Sequence, residues 1–335
     1  MISHWLKPNE NDAACINNNM KLEKYMADGE VDLSPYRISL ISSPGHRSQK
    51  IIESLSFFEN HFKNLNIIDL GVFRKSDAQF NIQLVRELNE GGIIPVILDQ
   101  DFRWFSAIMN SLSKGIDKQH LCISNNLMFS EYGISCDFMA FQRQMVKLEH
   151  LHRIADHSIN SMSLGKLRAD SHLVEPAVRD YAGIYFDICS IRRSDVPGCH
   201  SSLPTGLSAE EACQLLKYIG GNTQLKLLVI GGDYQPDEIT SDTIAQALWY
   251  FMEGVSQSHC DHPAKDRNYQ QFIVENDHMK ESFYFVKNNT SERWWFLTRP
   301  EASDDAYIAC SYQEYLDTIH KELPDRLFKH LTKLH

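Results

Sequence analysis

Six short apolar runs, at 37–41, 66–70, 93–98, 121–124, 183–188 and 225–230, are bounded by Gly, Pro or polar residues. Continuous Ile, Val and Leu runs of this length suit strands buried on both faces. Between them, 76–90 and 209–219 carry apolar residues at helical spacing. Thr240 offers an N-cap for a helix that continues through 244–255. Strand and helix in alternation predict an α/β fold of three layers, with a parallel sheet of about eight strands between helices.

The pattern changes at both ends. Residues 1–35 are polar and Asn-rich and read as a loosely structured N-terminal extension; 36–260 form the α/β domain; 261–335 form an appendage packed on that domain. Within the appendage, 272–274 and 283–286 read as two antiparallel strands around a polar turn, and 312–331 as a terminal helix. Trp294 and Trp295 are expected to pack this appendage onto the sheet rather than to stack a ligand.

Composition narrows the function classes. With 43% hydrophobic and 23% charged residues the chain can bury a sizeable core. A net charge of -11 argues against a nucleic-acid surface, where Lys and Arg must neutralise phosphates. No run approaches the roughly 20 apolar residues of a membrane helix, and no apolar stretch follows a basic start, so no membrane anchor or secretory leader is expected. The eight cysteines include no CxxC pair, which suits reduced thiols in a cytoplasm better than a disulfide framework. Neither GxGxxG nor GxxxxGK[ST] is present, so nucleotide-binding folds lose their usual support.

The stretch Tyr185-Phe186-Asp187-Ile188-Cys189 through Val196-Pro197-Gly198 resembles the SFDxDxxDPxxAPG block of the arginase/agmatinase/formimidoylglutamase (ureohydrolase) family. Asp233-Tyr234-Gln235-Pro236 resembles its E-V-N-P strand end. The run at 93–98 followed by Asp99-Gln100-Asp101-Phe102-Arg103 is similar to the strand leading into GGDHS, and 121–129 stands where the family has DAHxD. The blocks agree in order and spacing from about 37 to 255, and the tail resembles a formimidoylglutamase-like bacterial branch. The resemblance implies an arginase-like fold, a homo-oligomer, and hydrolysis by a hydroxide held between two manganese ions.

Carried over residue by residue, the family's six ligand positions fall on Phe102, Asn125, Leu127, Phe129, Asp187 and Cys189. One strong ligand of six remains, Asp187; an amide and a thiol do not replace bridging carboxylates for a hard cation. Residues 121–149 contain no histidine to rescue the second block. The expectation is a degenerate, metal-free site with no manganese and no other cofactor, in a catalytically inactive homologue. Such a protein would act through binding or assembly, on a small amino-acid-like ligand or with partner chains. The alternative is a metal-dependent hydrolase of a guanidino or formimino substrate such as formimidoylglutamate or arginine.

The remaining candidates have plainer readings. Asp187 is expected to cap a loop or pair with Arg192 or Arg193, and Cys189 to be a buried inert thiol rather than a nucleophile. Asp233 takes the position of the family's substrate-gripping glutamate and is a weak catalytic candidate beside Asp187. His259-Cys260-Asp261-His262 groups ligand types but reads as an exposed loop rather than a zinc site. His46, Arg103 and Trp104 are weak contributors to a remodelled pocket.

Overall fold

The computed structural model describes residues 2–9, 18–26, 31–45, 47–112, 120–129, 136–156, 159–276, 281–298, 307–320 and 323–332. Short strands β1 (Leu6–Lys7) and β2 (Glu23–Lys24) come from the N-terminal extension. They are followed by β3 (Ile38–Ser42), α1 (Gln49–Phe57), β4 (Ile67–Phe73), α2 (Ala78–Glu90), β5 (Ile94–Leu98), α3 (Phe102–Leu112), β6 (His120–Ile123) and β7 (Cys136–Phe141). Next are α4 (Leu148–Asp156), β8 (Ser161–Ser163), α5 (Leu164–Ala169), α6 (Val174–Val178), β9 (Gly183–Asp187), α7 (Ala209–Gly220), β10 (Leu227–Gly231) and α8 (Glu238–Gln257).

The main sheet runs in the order β1-β4-β3-β5-β10-β9-β6-β7-β8, with β2 also on β4. From β4 to β8 every pairing is parallel, so eight parallel strands form the predicted sheet and the extension adds β1 antiparallel at its edge. Strand side chains alternate between two cores. Leu40, Val96, Ile184 and Leu228 face α1, α7 and α8, whereas Ile41, Ile97, Tyr185 and Val229 face α2 and α3. Among the described residues no helix is long and apolar enough to cross a membrane.

Local chemistry explains several boundaries. Ser208 and Glu211 form a reciprocal capping box that starts α7. The helix expected from Thr240 instead begins at Glu238, because Asp237 accepts from the Thr240 N–H and is the true cap. Helices α7 and α8 cross closely at glycines: a Cβ on Gly220 would meet Phe251 O at 2.1 Å, and one on Gly254 would meet Lys217 O at 2.1 Å.

The appendage is a separate four-stranded antiparallel sheet, β11 (Tyr269–Asn276), β12 (Glu281–Asn288), β13 (Trp294–Leu297) and β14 (Tyr307–Cys310). It is followed by α9 (Tyr312–Ile319) and α10 (Asp325–Thr332), where one terminal helix was expected; Pro324, which donates no backbone hydrogen bond, stands directly before the second. The polar turn at 277–280 lies outside the described residues. The Trp pair divides its work, as strand alternation requires. Trp294 stacks on Tyr315 inside the appendage, centroids 4.7 Å apart, while Trp295 takes the Arg179 guanidinium from the α/β domain 4.7 Å above its ring.

Candidate functional site

The C-terminal ends of β5, β6, β9 and β10 meet on one edge of the sheet, where open α/β folds bind ligands. Asp187 closes β9 and caps the turn after it: the Cys189 N–H donates to Oδ1 at 3.0 Å. Ser124, just past β6, donates its hydroxyl to Oδ2 at 2.7 Å. The side chain is buried, and burial pushes its pKa up to about 6 against both hydrogen bonds, which favour the ionised form. Gly232 leaves room for this carboxylate, since a Cβ there would lie 2.9 Å from Oδ1.

The capping role expected of Asp187 is therefore present, but the arginine pairing is not. Arg192 Nε donates to both oxygens of Asp195 at 2.9 Å, and Arg193 donates to the carbonyls of Ser202 and His200. The turn at Ile188–Ser190 redirects the chain, and both arginines satisfy themselves within their own loop.

Cys189 corrects the expectation of free thiols, because it is disulfide-bonded to Cys199 with Cα atoms 6.0 Å apart. The ten-residue separation gives no sign of a pair. Folding brings the two together because Cys199 bridges Tyr234 beyond β10, beside the end of β9. Sulfur in a disulfide offers no thiolate for attack. Cys122, Cys136, Cys213, Cys260 and Cys310 are free, and Cys15 lies outside the described residues.

The other family-aligned positions carry an amide, Asn125, and the hydrocarbon side chains of Phe102, Leu127 and Phe129. Phe102 opens α3 with its ring buried, 5.5 Å from Tyr185 and 5.9 Å from Phe105 between centroids. Leu127 is buried in the same core. Asn125 donates Nδ2 to the carbonyls of Cys189 at 2.9 Å and Ser201 at 3.2 Å, tying the β6 exit to the disulfide loop. Phe129 is placed elsewhere, against Phe138 and His150, with Arg153 4.3 Å over its ring. Asp233 is exposed.

A neighbouring cluster was not anticipated. Asp99 directly follows β5 in the left-handed region (φ 64°) with its side chain 3% exposed; Tyr234 Oη donates to its Oδ1 at 2.5 Å. Arg47 lies 5.3 Å over the Tyr234 ring, with Nε 4.0 Å from the same carboxylate oxygen. Burial pushes the Asp99 pKa up, opposed by Tyr234, Arg47 and Ser48. These groups are 187 and 135 residues apart in sequence, so no local motif announces them.

Arg103 is exposed, and Trp104 is buried against Phe73 in the core rather than in a pocket. His46 lies outside the described residues. The loop 259–262 is only partly solvated: Asp261 is buried and accepts from Arg293 Nη1 at 3.3 Å, because the appendage covers it. Among the described residues, no three His, Cys, Asp or Glu side chains gather as a metal-ion site.

No protein-family model matches the chain, and no curated protein matches it in sequence. Solved structures do resemble it. A Trypanosoma cruzi formiminoglutamase variant with two Mn2+ superposes with a TM-score of 0.61 at 14% identity, over 68% of this chain and 96% of its own. Formimidoylglutamase from Bacillus subtilis gives 0.60 at 16% identity, covering 72% and 92%. The agmatine ureohydrolase of Thermoplasma volcanium gives 0.52 at 15%, covering 68% and 92%. With its eight parallel strands between two helical layers, the chain has the arginase-like fold.

Proposed function

We propose that this protein is a catalytically silent relative of the arginase-fold hydrolases, acting by binding or assembly rather than by metal-assisted hydrolysis. The T. cruzi structure holds a manganese pair; the residues aligned with the family's ligand positions here do not fit one. The observation that carries the reading is the donor set. Asp187, the one strong ligand kept, spends its two oxygens on Ser124 and the Cys189 N–H, while the Cys189 sulfur is bound to Cys199. Phe102 and Leu127 bring apolar surface where the family's two imidazoles would be needed. Divalent ions desolvated beside such groups lack the negative charge that must compensate them. No hydrolytic step is derived for this chain.

A homo-oligomer, a small amino-acid-like ligand and a cytoplasmic setting belong to the same reading. The test is metal analysis of protein purified from manganese-rich medium, with urea and formamide release from a panel including arginine, agmatine and formimidoylglutamate. Silence predicts sub-stoichiometric manganese and no product. Tightly bound manganese near two ions per chain, with release of either product, would establish the hydrolase alternative instead.

A further inference from the structure

The C-terminal sheet is closed at one edge and open at the other. Its hydrogen-bond phase is fixed at two points: the Asn289 N–H donates to the Asn268 carbonyl, and the Asn288 N–H to the Arg293 carbonyl, each at 3.0 Å. In an antiparallel ladder, successive residues of a strand turn their N–H and C=O groups to opposite sides. With the observed registers, Gln270, Phe272 and Val274 therefore bond to β12, and the backbone groups of Gln271, Ile273 and Glu275 point away from it. The same phase turns the Ala309 groups outward at the far edge, on β14. There this chain satisfies both: the Ala309 N–H donates to Asp180 at 3.0 Å, and its carbonyl accepts from Arg326 Nη2 at 2.6 Å. Among the described residues, nothing hydrogen-bonds to the outward groups of β11, and no second strand lies beside it.

An open edge is usually blunted by a short strand, by Pro or Lys, or by a bulge. The main sheet ends that way, in β1 of two residues and β8 of three. Strand β11 uses none of these devices. It has eight residues, no Pro, Lys or Arg, and an unbroken register with β12. The side chains of Gln271, Ile273 and Glu275 are exposed, Ile273 at 58%.

We propose that β11 pairs antiparallel with β11 of a second copy of this chain, about a twofold axis at Ile273. The strand is complementary to itself in that register. Ile273 lies opposite its counterpart, apolar against apolar. Gln271 lies opposite Glu275 of the second copy, an amide donor against a carboxylate, and symmetry repeats the contact. Glu275 never faces Glu275, so no like charges oppose each other. All three are the residues whose backbone groups face the edge, so each pair exchanges two backbone hydrogen bonds. Because the Ala309 groups on the β14 edge are already satisfied, association closes at two copies rather than continuing. The inference rests on the assembly part of the reading above and names its partner; metal content and turnover do not bear on it.

The experiment is sedimentation equilibrium of the full chain over a dilution series, repeated on Ile273→Lys and Gln271→Lys. Expected for the wild type is a monomer–dimer equilibrium. Ile273→Lys removes the apolar pair and sets two ammonium groups opposite each other, and should weaken the dimer by about tenfold. Gln271→Lys meets Glu275 of the second copy twice by symmetry, and should tighten the dimer by about threefold to tenfold. Both positions are exposed, so circular dichroism of the diluted variants should match wild type and separate lost pairing from lost folding. Opposite signs from two added lysines distinguish this register from a general charge effect. A monomer at every concentration would leave the edge to a strand from another protein and overturn the pairing of copies. An oligomer whose affinity neither substitution changes would overturn it equally. Either result leaves the silent metal site standing.

Discussion

Replacing Glu175 with Gln probes how the C-terminal sheet is held to the α/β domain. Glu175 accepts from Arg179 Nε at 3.0 Å and from its Nη2, and Arg293 Nε lies 3.2 Å from the same carboxylate. The Arg179 side chain is 6% exposed and also donates Nη1 to the Trp294 carbonyl at 2.9 Å. The pair therefore joins α6 to β13. Burial pushes the Glu175 pKa up, but Arg179 and then Arg293 outweigh it and hold the carboxyl below its usual range.

The amide keeps the shape and removes the charge, leaving a buried guanidinium without its hydrogen-bonded carboxylate. Breaking a buried pair from one side costs about 3–5 kcal/mol, and the remaining carbonyl and Trp295 contacts of Arg179 place this case near the lower figure. For 335 residues at about 2.1 cal/mol/K each, the unfolding entropy is about 0.7 kcal/mol/K, so Tm should fall by about 4 °C at pH 7. The sign with pH follows from the depressed folded pKa. The stability Glu175 contributes is full above its unfolded value near 4.5 and is lost as pH falls through the lower folded value. Thermal melts from pH 7.5 down to pH 3.5 should show the gap between wild type and Glu175→Gln closing below about pH 4.5. Equal melting temperatures at pH 7, or a gap that persists unchanged in acid, would refute this account of the junction.

Other expectations follow from the site and the core. Asp187→Asn should raise the melting temperature at pH 8, since the amide can keep both hydrogen bonds without burying a charge; a drop in stability together with lost manganese would contradict the silent site. Peptide mapping without reductant should recover Cys189 and Cys199 in one linked species, and separate alkylation of both would reject the pair. Gly254→Ala should cost about 3 kcal/mol, the upper end of ordinary overpacking, because its Cβ meets backbone rather than a movable side chain. Urea denaturation measures it, and a loss under about 1 kcal/mol would show that the crossing of α7 and α8 can relax.

The sequence determined the layers. Short Ile, Val and Leu runs specify strands buried on both faces, since only such strands need no polar alternation, and helical spacing between them leaves little but a parallel sheet under helices. The motif blocks also located the site edge, because Asp187 and the loop after it lie in one continuous stretch. Strand β7, Cys136–Phe141, went unread although every residue in it is buried. Its charged member Asp137 interrupts the apolar pattern, and its carboxylate accepts from Tyr181 and Asn160, both brought from afar. Partners distant in sequence were the part that tertiary structure alone decided. Cys189 with Cys199, and Asp99 with Tyr234 and Arg47, are joined by strand order and by loops folding back on the sheet edge. A local pattern records which face a residue buries; it holds no record of which residue will be waiting there.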